Sequence, residues 1–280
     1  MRVPILTYHA LNASGWDYGT NDHVALAEDL ELLQELNYVI APLRHVAEHI
    51  SGTHPHDYLE DTKCVGLSWD DGTNHDFVDY YHPDYGYLRS LTSVLVSSTL
   101  YLRQRSNRAP TVPEPRATSF VIVSPHARDE LDRACIAGRS QWREDWWLAA
   151  VTQGVLEIAN HSWDHLHPAL TTVRHSESRR GNFAAVRNEA DADLQILDAQ
   201  AYLSKRLGHF TSPLFAYPYG HANDYLVQEY FPKHTATFLG AFTTDGEFAT
   251  DQSNRWRIPR FACGEHWTSR AELGQLLQRH

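Results

Sequence analysis

Val65-Gly66-Leu67-Ser68-Trp69-Asp70-Asp71-Gly72 carries a short apolar run straight into two adjacent carboxylates and a glycine. A run that is nearly continuous rather than alternating is the pattern of a parallel strand covered on both faces. Adjacent carboxylates at its end repel each other and lose hydration, a cost that a bound cation or a proton removes. Taken alone, Asp-Asp-Gly reads first as an Asx-capped turn.

Similar runs recur outward from this one, at residues 3–8, 119–123, 155–159, 214–217 and, more weakly, 256–261. Between them Leu26, Leu30, Leu33 and Leu36 keep helical spacing, as do Ala184, Val186, Leu194, Ile196 and Leu197 within 177–207. Strand and helix alternating along one chain predict a parallel α/β sheet, open or closed into a barrel. Residues 74–115 break the rhythm with Tyr80-Tyr81-His82-Pro83-Asp84-Tyr85-Gly86-Tyr87, an apolar segment and a tail broken by Pro110, Pro113 and Pro115. They read as an insertion with one helix, whose rings either line a substrate groove or form a satellite core.

The chain has 280 residues, 42% hydrophobic and 21% charged, an ordinary globular composition. No Pro/Gly/Ser linker divides it, and α/β barrels commonly use roughly 200 to 250 residues or more as one unit, so a single domain is expected. With 24 Lys+Arg against 35 Asp+Glu the formal charge is −11, which opposes nucleic acid and anionic membrane as partners. Cys64, Cys135 and Cys263 are odd in number and widely spaced, without a CxxC pair. No apolar run reaches the about 18 residues of a membrane span. The start Met1-Arg2-Val3-Pro4-Ile5-Leu6 lacks a signal-peptide core, so a cytoplasmic protein is expected, or a secreted one if a leader was trimmed. The sequence carries no signal of oligomeric state.

Two further motifs lie at the ends of apolar runs. His161-Ser162-Trp163-Asp164-His165 places two imidazoles four residues apart, where a helical turn or tight loop can aim both at one ion. With 18 His in the chain, surface or capping histidines are the competing account. Phe215-Ala216-Tyr217-Pro218-Tyr219-Gly220 reads by itself as a strand followed by a turn. All three motifs fall where parallel strands end, the edge at which α/β barrels place their catalytic groups. Two imidazoles and one carboxylate leave positions on an ion open, as in a catalytic metal site.

Asp-Asp-Gly, then His-Ser-x-x-His, then a Pro-Tyr-Gly strand end resemble the polysaccharide deacetylase family, also called NodB-homology or carbohydrate esterase family 4. The opening Leu6-Thr7-Tyr8-His9 is similar to its poly-N-acetylglucosamine deacetylase branch. The resemblance runs from Tyr8 to about Phe261. It implies a distorted (β/α) barrel and a hydrolase that removes acetyl groups, N-acetyl first, from a carbohydrate. It also implies one divalent metal ion, zinc first, with cobalt, nickel and manganese as alternatives. Carried over by position, it makes Asp70 the general base and Asp71, His161 and His165 the metal ligands. Tyr219 would offer a backbone N–H to the oxyanion. Such an ion can lower the pKa of water from about 15.7 to about 7.

Two departures stand out. The family has Arg where this chain has Ala216, and Arg257 or Arg260 is the candidate replacement to orient Asp70. The family's late Leu-x-His, the general acid, is missing, leaving His9, His75, His167 and His266 as candidates. The interval of 161 − 71 = 90 residues between ligand motifs fits added structure between them. Trp69 and Trp163 either stack on sugar or pack in the barrel. Two other functions compete. A two-His-one-carboxylate iron enzyme uses the same ligand types, although the second carboxylate beside Asp71 favours hydrolysis. A catalytically dead carbohydrate-binding descendant is the reading that Ala216 and the missing histidine suggest.

Overall fold

Cys64–Asp70 is a strand of seven residues, every one buried, and the sheet is built around it. The computed structural model describes residues 1–82, 84–106 and 112–278. In chain order the main strands are β1 (Ile5–His9), β2 (Val39–Ile40), β3 (Cys64–Asp70), β4 (Ala117–Val121), β5 (Leu156–Asn160), β6 (Leu214–Ala216), β7 (Gly240–Phe242) and β8 (Phe261–Ala262). They pair in the order β7-β6-β5-β4-β3-β1-β8, with β2 also on β3. Every pairing is parallel.

The sheet curls until its edges nearly meet. Ile258 bridges to Phe242 at one edge, and three residues later Phe261 pairs with Leu6 at the other. The result is the expected distorted (β/α) barrel in a single domain, with residues 258–262 lying across its seam.

The first helix, α1 (Asp22–Glu35), starts where the Asn21 side chain accepts from the His23 amide, and Leu26, Leu30 and Leu33 face the core. A second, α2 (Leu43–Ser51), stops at Gly52, whose φ of 69° is the left-handed C-terminal conformation glycine favours. The stretch 177–207 holds one short helical turn, Phe183–Ala185, and becomes a longer helix only from Glu189 on, through a wide turn at Asp193–Leu197 into Asp198–Leu207. The rest of 177–188 is irregular, because Arg179-Arg180-Gly181 breaks the apolar spacing.

Between β3 and β4 come a hairpin, Tyr80–His82 against Gly86–Leu88, and two helices rather than one, Leu91–Ser97 and Thr99–Ser106. Ser98 divides the helices, its hydroxyl accepting from the Tyr101 amide as a new N-terminus begins. Both helices pack on α1. Pro83 and residues 107–111, with Pro110 of the tail, lie outside the described residues. Among the described residues no helix is long and apolar enough to cross a membrane.

Candidate active site

The C-terminal ends of β3, β5 and β6 converge at one mouth of the barrel. Asp70 is the last residue of β3, and Asp71 turns away with a φ of 74°. Gly72 follows at 73°, where a Cβ would run into Val121, so glycine is required. The Asp71 carbonyl accepts from the Ile122 amide at 3.2 Å and from Trp142 Nε1 at 3.1 Å. The backbone is thereby pinned and the carboxylate reaches the mouth.

His161 follows β5 directly. Its Nδ1 lies 2.9 Å from the Ala216 carbonyl, an acceptor only, so Nδ1 carries the hydrogen and Nε2 is left with a free lone pair. The chain then makes a tight loop rather than a helical turn, with positive φ at Ser162 (70°), His165 (62°) and Leu166 (45°). Asp164 holds this shape by accepting from the Leu166 and Arg174 amides and from Gln195 Nε2. Asp71 Oδ1 stands 3.8 Å from His161 Nε2 and 3.6 Å from His165 Nε2. One ligand atom from each of the three lies within 4.8 Å of the other two.

Two imidazoles and a carboxylate aimed at one point are a donor set for a borderline divalent cation such as zinc. Burial, the largest influence, depresses both histidine pKa values, outweighing Asp70 and Asp71 at His161 and reinforced by His161 at His165. Neutral rings are the form that ligates metal. Asp71 is only partly buried, which leaves the point open to substrate.

Comparison with known proteins points to the family that the motifs resemble. The family model described as polysaccharide deacetylase matches residues 114–231, which include the histidine motif and Pro218-Tyr219-Gly220. The chain resembles the polysaccharide deacetylases. Solved structures extend the likeness to the whole fold. IcaB from Ammonifex degensii superposes with a TM-score of 0.61 at 16% identity, covering 99% of this chain and 97% of that one. The deacetylase PplD from Streptococcus pyogenes, in complex with acetate, gives 0.58 at 18%, covering 100% and 99%. A polysaccharide deacetylase from Bacillus cereus gives 0.59 at 14%, covering 99% and 69%. No curated protein matches.

The guanidinium that the polysaccharide deacetylase pattern puts at Ala216 comes here from Arg260. Its Nη1 and Nη2 donate to Asp70 Oδ1 and Oδ2 at 2.7 and 2.8 Å, a bidentate pair with both side chains buried. Arg260 also donates to the Thr243 carbonyl and to the Thr7 and Ser68 hydroxyls, so all its reach is used within the barrel. Burial alone would raise the Asp70 pKa; Arg260 first, then His161, reverse that and hold it at about 2. Arg257 instead pairs with Asp245 at the surface.

A third carboxyl, Asp76, lies behind the pair and accepts from Ser119 Oγ at 2.6 Å. Burial foremost, with Asp71 and Asp70 adding to it, pushes its pKa well up, favouring a protonated acid. Asp76 and Trp142 were not among the sequence candidates. Asp76 lies in Thr73-Asn74-His75-Asp76, only five residues past Asp71, and that proximity was the available signal. Trp142 carried none.

Of the four histidine candidates, His9 ends β1 in register with Asp70, and its charge influences both Asp70 and His165. The His167 ring lies 5.8 Å from that of His165. His75 is stacked on Tyr80 at 3.3 Å, and His266 Nδ1 accepts from the Ala262 amide beyond the seam. Tyr219 takes a left-handed conformation (φ 60°) and packs its ring edge-on against His165 at 4.4 Å. Neither tryptophan is a platform at the mouth. Trp69 is fully buried against Tyr8, and Trp163 lies between Tyr202 and Arg174.

Proposed function

We propose that this chain is a metal-dependent hydrolase that removes acetyl groups, most readily N-acetyl, from a carbohydrate. The observation that carries the reading is the meeting of Asp71, His161 and His165 beside a carboxylate clamped by Arg260. A divalent cation held by the three, zinc foremost, supplies Lewis-acid polarisation of the acetyl carbonyl and acidifies the attacking water.

The chain's own groups do the rest. Asp70 accepts the proton of that water, and its clamp keeps the receiving oxygen from rotating out of line. The depressed pKa of Asp70 keeps it in the basic form across the neutral range. The Tyr219 peptide N–H meets the charge developing on the carbonyl oxygen, a contribution typically of about 3 kcal/mol for one such donor. His9, beside Asp70 at the end of β1, is the proton donor to the leaving amine. Substrate selection is assigned to the hairpin around Tyr80 and Tyr85, where His75, Tyr80 and His82 line a cavity of about 630 Å³.

The test is acetate release from N-acetylglucosamine oligomers, measured with and without chelator and in Asp70→Asn. Release that ceases with chelator and in the isosteric variant is expected. Glycan binding without release from any acetylated substrate, with metal loaded, would favour the non-catalytic descendant instead.

A further inference from the structure

Between the hairpin and the barrel mouth lies a cavity of about 630 Å³. Its wall begins with residues that follow the strand ends of the site, Ala10 and Leu11 after His9, and Asn74 and His75 after Asp71. Cys135, also in the wall, has its thiol pKa raised by burial first and then by the charge of Asp71, so cavity and mouth are neighbours.

Two side chains of that wall are at least nine-tenths buried and yet short of partners. Asn74, 9% exposed, accepts through Oδ1 from the Arg143 amide, which can only donate. That fixes the carboxamide and leaves Nδ2 without a partner among the described residues. His75, 3% exposed, has no hydrogen bond at either ring nitrogen among the described residues. Its Nδ1 is shielded and meets no acceptor, which puts the hydrogen of the neutral ring on Nε2 as a donor. Stacking on Tyr80 fixes the ring, and burial foremost holds its pKa at about 3, so it is a hydrogen-bonding group rather than a counter-charge. Buried donors left unpaired cost about 1–3 kcal/mol each, so a ligand bringing acceptors is their natural complement. The wall carries one carboxylate, Asp79, and one guanidinium, Arg139, and so has no net charge with which to select an ion.

Beyond the cavity the hairpin carries an aromatic ledge. Tyr81 and Tyr87 are directly opposite in its ladder, hence on one face, and are 76% and 64% exposed. Tyr81 also lines the cavity, so ledge and cavity are continuous. Tyr87 is steadied by its hydroxyl, which donates to Asp79 at 2.6 Å. Tyr85 donates to the Ser14 carbonyl and meets Trp16 edge-on at 5.8 Å, tying the loop before α1 to the hairpin. Trp16, Val78, Tyr81 and Tyr87 are four of the eight large hydrophobic side chains exposed among the described residues, a clustering that marks a binding surface. Flat rings with polar tips beside hydrogen-bonding groups suit a sugar, which is apolar on its ring face and hydroxylated at its rim.

We propose that the cavity and ledge form an extended subsite for a neutral oligosaccharide. Asn74 and His75 hydrogen-bond the sugar next to the acetylated one, and Tyr81 and Tyr87 stack on a sugar further along. The proposal rests on the carbohydrate-hydrolase reading above and adds where, and over what length, the glycan is held.

The probes are the dimer and the hexamer of N-acetylglucosamine, titrated by calorimetry into metal-loaded Asp70→Asn. The hexamer is expected to bind about 10-fold more tightly than the dimer. Adding Tyr81→Ala/Tyr87→Ala, on an exposed face where folding is not at stake, is expected to erase that ratio, and Tyr81→Phe/Tyr87→Phe to keep it. His75→Phe, which keeps a ring on Tyr80 and removes both nitrogens, is expected to weaken both oligomers by about 10-fold. Bound hexamer is expected to block alkylation of Cys135, the exposed one of the three thiols. If His75→Phe fails to fold, the tyrosine pair and the thiol carry the test. No binding, equal affinity for the two lengths, a ratio unmoved by Tyr81→Ala/Tyr87→Ala, or free alkylation of Cys135 in the complex overturns the proposal. Acetate release by wild type is scored separately: length-dependent binding without release fails the hydrolase reading alone, and release without length dependence fails the subsite alone.

Discussion

Arg260 concentrates more interactions than any other side chain at the mouth, and its replacement separates charge from geometry. It is fully buried, grips both Asp70 oxygens and ties Thr7 and Thr243 across the seam. Lysine keeps the charge but not the planar fork. Arg260→Lys is therefore expected to fold, to bind metal as wild type, and to lose on the order of 100-fold in kcat/KM for acetate release, the usual scale for a misplaced catalytic group. Arg260→Met leaves Asp70 buried without a partner, which costs about 3–5 kcal/mol and is read as a lowered Tm. Wild-type kcat/KM in Arg260→Lys would mean that Asp70 needs no clamp. The sequence named this arginine only as one of a pair with Arg257. Its role depends on which of two residues three positions apart points into the barrel, and Ile258 bridging Phe242 decides that.

At the scale of elements, the histidine loop carries the strain. Ser162, His165 and Leu166 all sit at positive φ, a conformation costing on the order of 1–3 kcal/mol each for residues other than glycine. Asp164 supports them through three hydrogen bonds, and its partner Gln195 is fully buried in the wide turn Asp193–Leu197. Asp164→Ala removes all three acceptor contacts without touching a proposed ligand. Its metal affinity at the mouth is expected to fall by about 10- to 100-fold, as for loss of other groups that orient ligands. Unchanged affinity by calorimetry would show that the loop keeps its shape unaided. The His-x-x-x-His spacing disclosed the pair of rings but not the loop, because helical and left-handed backbones both bring such residues together. The long apolar runs marked β1, β3, β4 and β5 to within a few residues. Gly240–Phe242 went unread, and its place is set by pairing with β6.

At the scale of the whole molecule, Asp29 on α1 joins the two ends of the chain. It accepts from Tyr8 on β1, from Tyr18, and from Trp267 near the C-terminus. Burial, outweighing those donors, raises its pKa to about 6. A folded pKa above the unfolded value of 3.8 means that the folded state holds the proton more tightly. Its contribution is thus fully present below about pH 4 and is lost as pH rises to about 6. The displacement of roughly two units is worth on the order of 3 kcal/mol. Buried histidines pull the other way. His75 and His45 are depressed to about 3 and about 4 by burial first, so their contribution is present above pH 6.5 and lost as pH falls. The slope of wild type alone therefore mixes opposing groups, and the informative quantity is a difference. Asn at position 29 can still accept from Tyr8 and Trp267 and can donate to Tyr18, but it cannot titrate. Urea unfolding of Asp29→Asn and wild type at a series of pH values is expected to show the variant gaining on wild type between pH 4 and 6, by up to about 3 kcal/mol, with a constant difference above. A difference that stays flat from pH 4 to 7 would mean that Asp29 titrates as it does in the unfolded chain, and that its three donors, not burial, govern this junction.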